Sequence, residues 1–260
     1  MLCAVDIGNT NIVVALHNGS SWVETWRIHT DSNKTTDEYF VVLESLLTHS
    51  IHNPLNHLVD RAIISSVVPN LSRAIQKNII RLFGIDPIMV NNSRNTGLLQ
   101  ATIPTELGAD LICNMAWAHH LHPTLAVAVV DFGTAMTISV VDSYGGVVGV
   151  SIAPGLLTSV NALFGKTAQL PQVELKIPHA VIGTTTDEAI RSGIMYGYAG
   201  MVKSMIAEIE KQLGVTLHVM ATGGLCSTIS PLIPRIDTID SFHTLNGLKL
   251  ISDLNQTDNT

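Results

Sequence analysis

One turn is spelled twice in this chain. Val5-Asp6-Ile7-Gly8-Asn9-Thr10-Asn11 and Val130-Asp131-Phe132-Gly133-Thr134-Ala135-Met136-Thr137 each place Asp, one apolar residue and Gly after a run of strand formers. Two such turns, far apart, predict a chain of two related halves, each reversing a buried strand at a glycine and presenting that loop to a shared ligand. The competing explanation is a pair of unrelated hairpins, and the repetition argues against it. The residue types suit phosphate. Gly8 can take backbone angles closed to other residues and lets main-chain N–H groups approach an anion. Thr10 and Asn11 add side-chain donors, and Asp6 is suited to hold Mg2+ through water.

Length and composition narrow the class. A chain of 260 residues, 46% hydrophobic and 13% charged, buries a real core as one large or two ordinary domains and has the character of a globular, oligomeric enzyme. A net charge of −7 with 14 Lys plus Arg and no basic run disfavours a nucleic-acid partner. Cys3, Cys113 and Cys226 have neither disulfide nor zinc spacing and read as reduced, buried thiols. No apolar run reaches the ~18 residues of a membrane span and no leader is visible, so a cytoplasmic location is expected. His119, His120 and His122 cluster near a helix end, where solvated or capping roles outweigh metal binding.

Taken in order, Ile12 to Leu16 and Ser21 to His29 continue an antiparallel meander, with a turn at Asn18-Gly19-Ser20. Thr35 with Glu38 forms a capping box ahead of a helix over 36–49. Strand, helix and strand follow at 61–68, 70–83 and 86–90, and the Ser65-Ser66-Val67-Val68-Pro69 loop reads equally as a cleft border or a helix start. The join between the halves falls within the polar stretch 91–105 and the helix after it. Leu107-Gly108-Ala109-Asp110 opens that helix, which runs to Leu121; by its position alone, Asp110 reads as a cap.

The second half repeats the meander at 124–131, 136–142 and 147–152, with a helix over 156–163 and an extended run from Pro171 to Pro178. Thr185 with Glu188 caps a helix over 187–213. Gly193, Gly197 and Gly200 lie on neighbouring faces of that helix, which fits either close core packing or a subunit contact. A strand at 216–220 leads to Thr222-Gly223-Gly224, a glycine pair able to admit a flat base, and then to another helix.

Two strand–Asp-x-Gly turns and a late Gly-Gly turn are similar to the phosphate and adenosine motifs of the acetate and sugar kinase, Hsp70 and actin superfamily. More closely, the chain resembles type III pantothenate kinases from end to end. The likeness rests on Asp6 to Asn11, Ile64 to Pro69, Leu107 to Asp110, Asp131 to Thr137, Ile152-Ala153-Pro154-Gly155, Thr167-Ala168-Gln169-Leu170-Pro171 and Thr222 to Gly224.

The resemblance implies an α/β fold of two actin-like, ribonuclease H-like domains of mixed sheet with flanking helices, 1–115 and 116–260, with an ATP cleft between them. It implies a homodimer that transfers the γ-phosphate of ATP to pantothenate, the first step of coenzyme A synthesis, with Mg2+ and a monovalent cation, K+ or NH4+. Carried onto this sequence, ATP would be contacted by Asp6, Ile7, Gly8, Asn9, Thr10, Asn11, Ile12, Val13, Thr134, Thr222, Gly223 and Gly224. Asp110 would be the general base, Asp131 would bind the monovalent cation, and Gly108, Ala109, Asp110, Leu111 and Thr186 would border the substrate. Three positions depart from the family pattern, all on the substrate side: Leu111 for Arg, Ala101 for Tyr and Thr185 for Asn. They raise a second reading, a nucleotide-binding regulatory relative without catalysis.

Overall fold

The computed structural model describes residues 1–49, 59–164 and 173–256. They form two compact units, Met1–Trp117 with His243–Thr260 and Ala118–Phe242. The first contains β1 (Leu2–Ile7), β2 (Asn11–His17), β3 (Trp22–His29), α1 (Thr36–His49), β4 (Arg61–Ser66), α2 (Pro69–Phe83), β5 (Ile88–Met89) and most of α3 (Ala109–Leu121). The second contains β6 (Val127–Phe132), β7 (Ala135–Val141), β8 (Val147–Pro154), α4 (Leu156–Phe164), α5 (Thr186–Leu213), β9 (His218–Thr222), α6 (Cys226–Ile229) and β10 (Thr238–Ile239). The last helix, α7 (His243–Leu254), packs against β1 and β4 and so falls with the first unit.

The two sheets have the same plan. Their orders are β3-β2-β1-β4-β5 and β8-β7-β6-β9-β10, with the meander antiparallel and the last two strands added in parallel. In β1 and β6 the Asp occupies the same place, next to last, and the burial patterns of the two strands are identical. Even the irregularity recurs, between Leu16 and His17 and between Val140 and Val141. The duplication expected from two turns is thus a duplication of whole sheets.

Local chemistry sets the helix ends. Ahead of α1, the Thr35 N–H donates to Glu38 Oε2 (2.7 Å) and the Glu38 N–H donates back to Thr35 Oγ1 (3.3 Å). The same box, Thr185 with Glu188, opens α5. Pro69 starts α2, and Gly84, at φ 70°, ends it by donating to the Ile80 carbonyl (2.8 Å). In the first unit Tyr39, Leu43 and Leu47 of α1 pack with Ile75 and Ile79 of α2 over the strand residues Val5, Ile7 and Ile64. In the second, Met195, Val202 and Ile206 of α5 cover Val130, Ile138 and Val219.

One hydrogen bond is common to both halves and fixes their turns. The residue after each third strand gives its N–H to the carbonyl of the turn threonine: Thr30 to Thr10 (2.9 Å) and Gly155 to Thr134 (2.9 Å). In the first half the Thr30 hydroxyl also donates to the Gly8 carbonyl (2.7 Å). In the second, a Cβ at Gly155 would collide with the Gly133 and Thr134 carbonyls, so the approach is closer than any side chain permits. Gly155→Ala should therefore lower the urea midpoint by the equivalent of about 1–3 kcal/mol at an unchanged m-value; a wild-type midpoint would contradict this packing.

Candidate active site

In the first unit, Asp6 and Ile7 end β1, Gly8 to Thr10 make the turn, and Asn11, Ile12 and Val13 begin β2. The Gly8 N–H donates to the Asn11 carbonyl (3.0 Å), closing the loop. Asn9 and Thr10 are exposed, whereas Ile7 and Ile12 are wholly buried. Those two isoleucines can meet a nucleotide only through their main chains, because their side chains belong to the core.

Asp110 lies in the first turn of α3, half-buried, with Oδ1 accepting the Leu111 N–H at 2.8 Å. Burial is the main influence and pushes its carboxyl above the ordinary range, with the backbone N–H groups of Leu111 and Asp110 pulling back. The site needs Gly108: a Cβ there would stand 2.6 Å from Asp110 Oδ1. One turn along α3, the buried Cys113 thiol senses both carboxylates. Burial, then Asp6 and then Asp110 drive its pKa well up, so it stays a neutral thiol. Ser65, paired with Asp6 across the β1–β4 register, lies beside it. Asp6, Ser65, Cys113 and Asp110 therefore form one neighbourhood. Sequence reading found its two carboxylates but read Cys113 only as a buried thiol; its i+3 spacing from Asp110 on a helix carries the missing signal.

In the second unit Asp131 lies beside the Thr222-Gly223 turn. Asp131 pairs with Thr137 on one side and with the buried Thr222 on the other. Gly223, at φ 91°, lies so close that a Cβ there would be 2.5 Å from Asp131 Oδ1. Thr134 and Gly224 are exposed beside this pair of turns. Tyr198 of α5 donates to the Pro154 carbonyl (2.6 Å), anchoring the end of β8. The second turn is thus held by α5 as well as by Gly155.

The substrate-side residues are less gathered. Leu111 is in the core, with 7% of its surface exposed, and presents no polar group. Ala101 is exposed in a 3-10 turn. Thr185 is the N-cap of α5, its hydroxyl taken by the Glu188 N–H (3.3 Å), and Thr186 is exposed at that helix's first position. Residues 167–171 of the expected motif set lie outside the described residues. The histidines divide: His122 stacks against His218 with ring centroids 4.0 Å apart, and His119 packs on Gly145. Among the described residues no group of three or more His, Cys, Asp or Glu could hold a metal ion, and no helix is long and apolar enough to cross a membrane.

Two five-stranded mixed sheets of one plan, each with an Asp-x-Gly turn after its first strand, define a member of the actin-like ATPase and sugar-kinase fold class. Solved structures agree on the fold. A Campylobacter jejuni protein assigned to a Baf family of transcriptional activators superposes with TM-score 0.61 at 18% identity, over 97% of this chain and 98% of that one. The activator of 2-hydroxyisocaproyl-CoA dehydratase from Clostridium difficile, solved with bound ADPNP, gives 0.52 at 16% identity over 97% and 92%. Residues 2–208 match the family profile of type III pantothenate kinase. A type III pantothenate kinase from Exiguobacterium sp. is 41% identical over 257 residues, covering 98% of this chain and all of that one. The chain belongs to the type III pantothenate kinase family.

The raised pKa of Asp110 has a consequence for stability. A carboxyl whose folded pKa lies above its unfolded value favours folding below the unfolded pKa and loses that contribution as pH rises through the folded one. At neutral pH the ionised, half-buried carboxylate therefore works against the fold. Asp110→Asn should be at least as stable as wild type in urea at pH about 7, with the difference shrinking toward pH about 4 as the wild-type carboxyl protonates. A variant less stable than wild type at neutral pH would contradict the burial of this charge.

Proposed function

We propose that the protein transfers the γ-phosphoryl group of ATP to the primary hydroxyl of pantothenate, with Asp110 as general base. The observation that carries this is the Asp110 carboxylate itself: raised in pKa by burial, pinned over Gly108 and close enough to Asp6 that one thiol senses both. A hydroxyl nucleophile needs a proton acceptor within hydrogen-bond reach, and burial moves this one toward neutral pH. As the hydroxyl oxygen bonds to the γ-phosphorus, the bond to the β–γ bridging oxygen breaks. The proton passes to Asp110, and ADP leaves with the electron pair. The rest of the acceleration comes from positioning and charge neutralisation.

In this reading Asp6 to Val13 supply main-chain and hydroxyl donors to the ATP phosphates, Thr134 adds another, and Thr222, Gly223 and Gly224 leave room for adenosine. Mg2+, which neutralises phosphate charge, would be held through water by Asp6. K+ or NH4+ would lie at Asp131. A Cβ at Gly133 would be 3.3 Å from both Asp131 Oδ1 and the Ala135 carbonyl, so the site offers oxygen donors, as a hard cation requires. Three free, buried cysteines fit a reducing cytoplasm.

The non-catalytic reading is not supported. Full-length relatives about as similar as the Exiguobacterium protein are named as the kinase, and two of the departures have structural roles, Leu111 in the core and Thr185 as a helix cap.

The proposal also includes a homodimer. Among the described residues nothing lies within 4 Å of where a Cβ would stand at Gly193, Gly197 or Gly200, so their core packing does not explain these glycines and a smooth helix face is left for a second copy. Sedimentation velocity should give a dimer that Gly197→Glu weakens; a monomeric wild type would remove this part of the proposal.

Activity is tested with purified protein, Mg-ATP and K+, by following ADP release with and without pantothenate. Acceptor-dependent ADP is expected. Asp110→Asn should lower kcat by roughly 10²- to 10⁴-fold while ATP binding is retained. Turnover by the Asn variant at the wild-type rate would eliminate Asp110 as the base.

A further inference from the structure

Next to the start of α3, the first unit carries an open groove of about 530 Å3. The first turns of α2 form one wall, and the 89–92 and 105–109 segments form the other, ending at Gly108 and Ala109 beside Asp110. Two charged side chains line it, Arg73 and Glu106. Glu106 accepts from Thr105 Oγ1 at 3.1 Å. Most polar neighbours are similarly committed: Ser72 Oγ donates to Ser66 Oγ (2.7 Å), and the Gln76 amide donates to Asp86 (3.0 Å).

Arg73 differs. Among the described residues it has neither a hydrogen bond nor an ion pair, whereas Arg81 on the same helix is paired with Asp37 at 3.1 Å and stacked on Phe40 at 3.6 Å. Among the described residues the groove therefore has one cation, and that cation is uncommitted.

We infer that Arg73 receives the carboxylate of the acceptor while its hydroxyl lies at Asp110, an assignment that rests on the function proposed above. Pantothenate has a primary hydroxyl at one end and a carboxylate at the other, so a base fixed at the groove's end calls for a cation along its wall. Leu111, buried in the core, offers none. A guanidinium presents a planar fork that matches a carboxylate with two parallel hydrogen bonds. The start of α2 adds to the field. Pro69 opens that helix and Val68 makes no side-chain cap, which leaves the positive end of the helix dipole facing the same groove. Arg73 thus sets acceptor specificity by charge without touching the reacting atoms.

The test compares pantothenate with pantothenyl alcohol, in which CH2OH replaces the carboxylate, in wild type, Arg73→Gln and Arg73→Lys, with calorimetric binding of pantothenate measured alongside turnover. Arg73→Gln should raise KM for pantothenate on the order of 10- to 100-fold with kcat within about twofold, and leave the alcohol's KM unchanged. Arg73→Lys, which keeps the charge but loses the fork, should fall between. An equal rise for both acceptors, or no rise for either, overturns the inference. Wild type that binds pantothenate through Arg73 but does not phosphorylate it overturns the functional proposal and leaves Arg73 in place. Wild type that neither binds nor phosphorylates pantothenate overturns both.

Discussion

In each half, a hydrogen bond from the residue after the third strand to the turn threonine's carbonyl holds the Asp-x-Gly turn in place. It converts a strand reversal, which alone would swing freely, into a loop fixed at both ends. The two halves reach this state differently. Thr30 ties the first turn with its main chain and its hydroxyl, while Gly155 ties the second by being small enough to lie against two carbonyls. That is why a hydroxyl serves one position and only hydrogen serves the other. A preorganised loop spends little free energy on reorganisation when charge develops on a phosphate, which is the largest contribution a protein makes to phosphoryl transfer.

Asp110 represents the opposite economy. Its burial costs stability, and the same burial raises its affinity for a proton. As a cap it is ordinary; Asn at that place would cap nearly as well without the buried charge. Cys113 lets this charge lie close to that of Asp6 without adding a third, because a thiol flanked by two carboxylates in a dry environment does not ionise.

Much of this was legible in the sequence because it was encoded locally. The repeated Asp-x-Gly turn gave the duplication, the two capping boxes gave the starts of α1 and α5 nearly to the residue, and β-branched runs gave the meanders. Other features were set by distant contacts. β4 ends at Ser66, two residues short of the expected 68, because the run of β-branched residues outlasts its partner strand. The helix expected after Gly224 is only four residues long, stopped by Pro231. Within α7, Gly247 is a poor helix former retained because the Cys113 backbone passes where a Cβ would be. The helix's place with the first unit follows from packing on β1 and β4, and no periodicity reveals a packing partner.

The substrate side shows how a sequence departure is reinterpreted by burial. Leu111 looked like a lost charge, and the structure gives it a hydrophobic role on a helix whose next turn is core; the cation of that region is carried by α2 instead. Transfer to an organic hydroxyl is distinguished directly from transfer to water by phosphorus NMR of the reaction with Mg-ATP, K+ and pantothenate. A phosphomonoester resonance that grows in equal amount with ADP, with little inorganic phosphate, is expected. ADP accompanied only by inorganic phosphate, at a rate indifferent to pantothenate, would contradict it.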